Sequence, residues 1–133
     1  MGQALPLSRP TTNSKTGETN QMLLRVDVDE REDHALVRAI GEIDASTVDS
    51  VATAIDDALA GGHKRVLLDL TEMTFIDSTG LGMLVRAHRD AEVASAWFAI
   101  VHPTPQTRKL ISVLGLDQLL HVHDSREQAL AAE

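Results

Sequence analysis

The chain contains no cysteine, which removes a disulfide framework, a thiolate nucleophile and every cysteine-based zinc site from consideration. Aromatic residues make up only 2% of it, namely Phe75, Trp97 and Phe98, so it lacks the ring platforms on which single-stranded nucleic acid stacks. Basic side chains are also scarce: twelve stand against twenty acidic ones, for a formal charge of −8. Such a chain is poorly suited to a phosphate backbone and better suited to approaching a basic protein patch. Long apolar runs are missing as well. The longest nearly apolar stretch, Val93 to Val101, falls well short of the ~20 residues that span a bilayer, and Met1 to Pro10 has no sustained apolar segment of a secretory signal. The expectation is a cytoplasmic protein with no direct contact to nucleic acid or membrane.

What is present suits one domain: 133 residues, of which 43% are hydrophobic. With so few aromatics, the core has to come from Leu, Val, Ile and Ala, as in a helix-covered sheet. Residues 1–20 carry Pro6, Pro10 and many Ser, Thr, Asn and Gly without an apolar period, and read as a flexible tail; residues 21–133 read as the folded domain. The six histidines are scattered. His121 and His123 share a face if their segment is a strand, but no further ligand completes a metal site.

Leu24, Val26 and Val28 alternate with Arg25, Asp27 and Asp29, the pattern of a half-buried strand. A second strand over about Ala35 to Ile40 follows a charged turn, which makes the two an antiparallel pair. Val48, Val51, Ala52, Ile55 and Leu59 recur at helical spacing behind Ser46 and Thr47 as caps, and Gly61-Gly62 ends that helix. Val66 to Leu70 is short and almost continuously apolar, as for a strand buried on both faces. Leu81, Leu84, Val85 and His88 mark a second helix, and Trp97 to Val101 another buried strand. Thr104 then caps a third helix with Pro105 at its first position, expected to turn Leu110, Val113 and Leu114 inward. Leu119 to Val122 reads as a short strand, and Asp124 with Glu127 as the capping box of a last helix. The result is an α/β fold: a mixed sheet of about five strands, the first pair antiparallel and the remainder largely parallel, with about four helices mainly on one face.

The stretch with chemical content is Asp69 to Gly82, which leaves a buried strand, crosses a loop and enters a helix. Asp77, Ser78 and Thr79 stand at that helix start, where unsatisfied N–H groups and a partial positive charge stabilise an oxygen-rich group or a phosphate. Gly80 and Gly82 leave the neighbourhood thin, so that another protein's backbone can come close. Taken alone, these residue types are ordinary helix caps.

The segment also resembles the signature of the STAS domain, and in particular of the bacterial anti-sigma-factor antagonists. Asp69-Leu70 and Ile76-Asp77-Ser78-Thr79-Gly80-Leu81-Gly82 match the strand exit and the loop of that family. Upstream, Gly41-Glu42-Ile43-Asp44 resembles its turn between second strand and first helix; downstream, Leu114-Gly115-Leu116-Asp117 and the helix from Asp124 to Leu130 resemble its C-terminal pattern. The likeness spans about Gln21 to Ala131.

The resemblance implies a binding protein that captures an anti-sigma factor which is itself a serine kinase with a histidine-kinase-like ATP site, and so frees the sigma factor. It implies phosphorylation at Ser78, which ends the complex, and a PP2C-type phosphatase that restores it. Asp77 matches the acidic neighbour of the acceptor, Glu42 and Asp44 the adjacent docking loop, and Thr79 a position that varies between Ser and Thr. ATP belongs to the kinase, so no cofactor is expected, and a weak homodimer is left open. An alternative is a non-switching assembly module of a stressosome-like or lipid-transport complex. An enzyme is not expected, since Ile76 and Gly80 flank Ser78 where a nucleophile elbow needs two glycines.

Overall fold

Alternating apolar residues build the first strand, and its edge position limits how far they are covered. The computed structural model describes residues 23–132, so the tail expected over residues 1–20 lies outside the described residues. Strand β1 (Leu24–Glu30) pairs antiparallel with β2 (Ala35–Ile43), from Leu24 opposite Gly41 to Glu30 opposite Ala35. Leu24 and Val26 are buried as expected, but Val28 is 41% exposed, because β1 is the outermost strand among the described residues.

Helix α1 (Val48–Ala60) follows, then β3 (Arg65–Asp69), β4 (Met73–Ile76), α2 (Ser78–Val93), β5 (Trp97–Val101), α3 (Pro105–Val113), a single 3-10 turn over Leu116–Gln118, β6 (His121–His123) and α4 (Arg126–Ala132). Among the described residues the sheet has six strands, in the order β1-β2-β3-β5-β6 with β4 pairing on β2 beyond the end of β3. All pairings except β1 with β2 are parallel.

Strand β4 was not expected, and it explains why β2 runs to Ile43 rather than stopping at Ile40. The first half of β2 pairs with β3 and its second half with β4. The register shifts between Gly41 and Glu42, so Met73 and Ile76 are buried three residues apart instead of two, and no alternation appears in the sequence. Gly41 sits at that shift with φ of 116°, where an added Cβ would lie 2.0 Å from the Leu23 carbonyl oxygen.

Two cores form on the two faces of the sheet. Val66, Leu68, Phe98 and Ile100 face α1 and α2, together with Ile111 from α3. Leu36, Leu67, Ala99 and Val101 face the other way, onto Ala129 and Leu130 of α4. Three helices therefore share one face and the last covers part of the other.

Several local expectations shift. Thr47 occupies the position before α1, but its hydroxyl donates to the Glu42 carbonyl at 2.7 Å and caps no helical N–H. Thr104 does cap α3, accepting from the Thr107 N–H at 3.1 Å. The inward row of α3 is Thr107 and Ile111; Leu110, Val113 and Leu114 are 37, 72 and 55% exposed. A helix of nine residues at the sheet margin offers only one narrow stripe to the core. The expected strand over Leu119 to Val122 forms as His121–His123, because the Leu119 and Leu120 N–H groups close a turn on the Leu116 carbonyl. The capping box before α4 lies one residue later than expected: Ser125 Oγ accepts from the Gln128 N–H, and Gln128 Oε1 accepts from the Asp124 N–H, each at 3.1 Å.

Candidate functional site

Asp69 ends β3 with its carboxylate nearly buried, accepting from the Thr71 N–H at 2.9 Å and the Thr71 hydroxyl at 2.6 Å. Arg38, opposite it on β2, approaches to 3.6 Å. These contacts and the Leu70 N–H on the Val101 carbonyl at 3.0 Å hold the point where the chain leaves the sheet centre. Strand β4 then carries it along β2 to Ile76, beside Ile43.

Asp77 is the hinge between that strand and α2. Its N–H donates to the Ile43 carbonyl at 3.2 Å, its backbone is extended, and its carboxylate accepts from the Gly80 N–H at 3.0 Å. The carboxylate is thus engaged as the helix cap. Ser78 is the first residue of α2, and both Ser78 and Thr79 are exposed. The N–H groups of the first turn and the aligned peptide dipoles give this end a partial positive charge of about 0.5 e.

The two glycines that the sequence suggested as equivalent are not. Gly80 is buried, and a Cβ there would meet Ile76 Cγ1 at 2.5 Å and Ile43 Cγ2 at 3.0 Å. It allows α2 to seat on the strand ends beneath Ser78, and it presents no surface of its own; the expectation that it leaves open space is corrected. Gly82 is exposed, and a Cβ there would meet nothing within 4 Å.

Asp44 and Glu42 arrive from β2. Because the Ile43 carbonyl bonds the Asp77 N–H, the turn that starts at Asp44 leaves the sheet beside the start of α2. The Asp44 carboxylate accepts from the Ser46 hydroxyl at 2.7 Å, the Ser46 N–H at 2.9 Å and the Thr47 hydroxyl at 3.3 Å. These bonds, led by the Ser46 hydroxyl, lower its pKa below the ordinary carboxylate value. Glu42 is half-buried and stands opposite Phe75 of β4, which is 50% exposed. The structure therefore gathers Glu42, Asp44, Asp77, Ser78 and Thr79 at the same end of the sheet, with Gly80 below and Gly82 on the next turn.

Beyond these residues lies a cleft of about 530 Å³ between α1 and α2, which begins at Thr79 and Gly82 and continues past Arg86 to Asp56 and Asp90. Sequence reasoning missed it. The only available signal was the outward row of α1, Asp49, Thr53 and Asp56, which reads as a solvated face until α2 is placed against it.

Three of the six histidines gather at the opposite sheet margin: the Trp97 ring lies 5.0 Å from that of His121 and 6.0 Å from that of His123, and His88 lies 5.6 Å from His121. Among the described residues, no three His, Asp or Glu side chains are placed to hold a metal ion. No helix among them is long and apolar enough to cross a membrane.

Residues 25–129 match the family model described as the STAS domain. The chain belongs to the STAS family. One relative of this STAS domain is an anti-sigma F factor antagonist of Paenibacillus polymyxa, 26% identical over 110 residues, which covers 82% of the chain and 94% of that protein. The crystal structure of an anti-sigma factor antagonist from Mycobacterium paratuberculosis aligns with a TM-score of 0.74 at 27% identity, over 82% of this chain and 92% of that one. The Bacillus cell fate determinant SpoIIAA in its phosphorylated form shares the fold, with a TM-score of 0.63 at 21% identity, over 80% and 97% of the two chains.

Proposed function

We propose that this STAS domain is an anti-sigma-factor antagonist. Unphosphorylated, it binds an anti-sigma factor that is also a serine kinase, and the sigma factor is released. The Ser78 hydroxyl then attacks the γ-phosphorus of the kinase's ATP: the new O–P bond forms as the bond to ADP breaks, and the hydroxyl proton is lost. A PP2C-type phosphatase hydrolyses the ester and resets the cycle. The domain acts by binding rather than by catalysis of its own, needs no cofactor, and works in the cytoplasm.

The observation that carries this reading is an exposed Ser78 at the first position of a sixteen-residue helix whose cap is already supplied by Asp77. The hydroxyl is not needed to hold the fold and is open to a catalytic lobe. Relatives and a similar structure named as anti-sigma factor antagonists support the partner class.

The switch follows from charge. A phosphate on Ser78 adds about 1.5 to 2 negative charges beside Asp77 and Asp44. The start of α2 offsets part of the repulsion, on the order of 0.3–1 kcal/mol, so the fold survives. A partner that had docked on Glu42, Asp44, Asp77, Thr79 and the open side of Gly82 meets a desolvated dianion instead of a hydroxyl. An unpaired charge at an interface is unfavourable by several kcal/mol, about a thousandfold in affinity.

The test is to incubate the purified chain and Ser78→Ala with ATP and each anti-sigma kinase of its host. One kinase should add a single phosphate to the chain and none to Ser78→Ala. Phosphate transfer that survives the substitution, or transfer by none of the kinases, overturns the proposal.

A further inference from the structure

The cleft between α1 and α2 is a groove with a direction. Both helices start at the Ser78 end of the sheet and run back along the same face, so the groove extends from Asp49 and Thr79 toward Asp56 and Asp90. Asp90 lies twelve residues beyond Ser78 on α2, about 18 Å along the helix axis. The floor is buried and apolar, made by Val48, Met83 and Ala87. The walls carry the carboxylates of Asp49, Asp56 and Asp90 against the single guanidinium of Arg86.

Two features of this groove have no use within the fold. Gly82 sits inside α2, where glycine weakens a helix, and no neighbour requires it: open space surrounds the place of its Cβ. Gly80, two residues earlier, is required by Ile76 and Ile43. In addition, Asp56 faces Asp90 across the groove. Burial first, and then this like charge, push the Asp56 carboxyl above its ordinary pKa, with Arg86 opposing. Retaining a repulsive pair and an unneeded helix glycine in one groove is what a surface shaped for a partner looks like.

We infer that this groove seats a segment of the partner kinase whose backbone passes Gly82 and whose Arg or Lys side chain reaches Asp56 and Asp90. The inference rests on the antagonist reading above and adds to it the determinant of which kinase is accepted. Charge complementarity selects the occupant: the walls are net acidic and the floor is apolar, which fits an amphipathic basic segment. Ser78 then sets whether the complex forms, and the far end of the groove at Asp56 and Asp90, about 18 Å along α2 from Ser78, sets with whom.

The experiment uses the kinase that phosphorylates the wild-type chain at Ser78. Its affinity is measured by calorimetry for wild type, Gly82→Leu and the double variant Asp56→Asn with Asp90→Asn, at low and high salt. Gly82→Leu fills the groove and should weaken binding about tenfold or more; the double variant should weaken it by about tenfold and flatten the salt dependence. Both should unfold at or above the wild-type temperature, which separates binding from folding. In the Asp56→Asn, Asp90→Asn variant, phosphorylation of Ser78 at saturating kinase should proceed at the wild-type rate, with the change confined to KM. If both variants bind as tightly as wild type, the groove assignment is overturned while the antagonist reading stands. If no anti-sigma kinase of the host binds the wild-type chain, both fall.

Discussion

The Asp77 carboxylate accepts the Gly80 N–H at 3.0 Å, and this bond decides how Ser78 is presented. It satisfies one N–H of the first turn of α2 and leaves the Ser78 hydroxyl outside the capping arrangement. Ser78 and the cap residue are adjacent, and the capping bond engages Asp77 alone, so each can be altered without the other.

Replacing Asp77 with Ala should lower stability by about 1 kcal/mol through loss of the cap, and Asp77→Asn by less, because its amide oxygen still accepts the Gly80 N–H. Chemical denaturation of the two variants checks the order. Equal loss in both would mean that the charge, rather than the cap, is what matters.

The glycines predict opposite signs. Gly80→Ala forces Ile76 or Ile43 to move and should destabilise by about 1–3 kcal/mol, whereas Gly82→Ala should be neutral or stabilise by up to about 1 kcal/mol. Thermal unfolding of both under one condition is the measurement.

Gly41→Ala should destabilise more than an ordinary surface change, by several kcal/mol, since φ of 116° and a Leu23 carbonyl oxygen 2.0 Å from the new Cβ both oppose it. Hydrogen exchange should show the loss as faster exchange in the second half of β2 and in β4, the pairing that supports the Asp77 turn.

Acid should weaken the fold through carboxylates whose pKa values are lowered: Asp29 chiefly by the Arg31 hydrogen bond, Asp33 by that of His34 and Asp44 by that of Ser46. A lowered folded-state pKa contributes stability that is present above the unfolded value and lost as pH falls through the folded one, so the loss begins below about pH 4. Asp56 acts with the opposite sign, since its raised pKa makes protonation favour the folded chain. Carboxyl NMR titration should return Asp44 toward its ordinary value in Ser46→Ala and leave Asp29 unchanged.

Most of the architecture was legible because it is written in local period and punctuation. Alternation at Leu24 and Val26, the helical spacing of Val48, Val51 and Ile55, and the Thr104-Pro105 start each depend on residues close in the chain. The same holds for the placement of Ser78 behind Asp77 at a helix start. Strand β4 was not legible, because a register shift on β2 breaks its alternation. The faces of α3 were misread because three apolar residues at helical spacing outnumber the pair, Thr107 and Ile111, that the sheet margin admits.

By itself, then, the sequence determined the order and type of the elements apart from β4, the exit of the chain at Asp69-Leu70, and the place of Ser78 behind its acidic neighbour at a helix start. The tertiary structure alone decided which glycine packs and which stays open, on which face α4 lies, and that Asp56 and Asp90 confront each other. The first set follows from backbone geometry over a few residues. The second depends on surfaces that meet only when elements distant along the chain are packed together, and no local period records such a meeting.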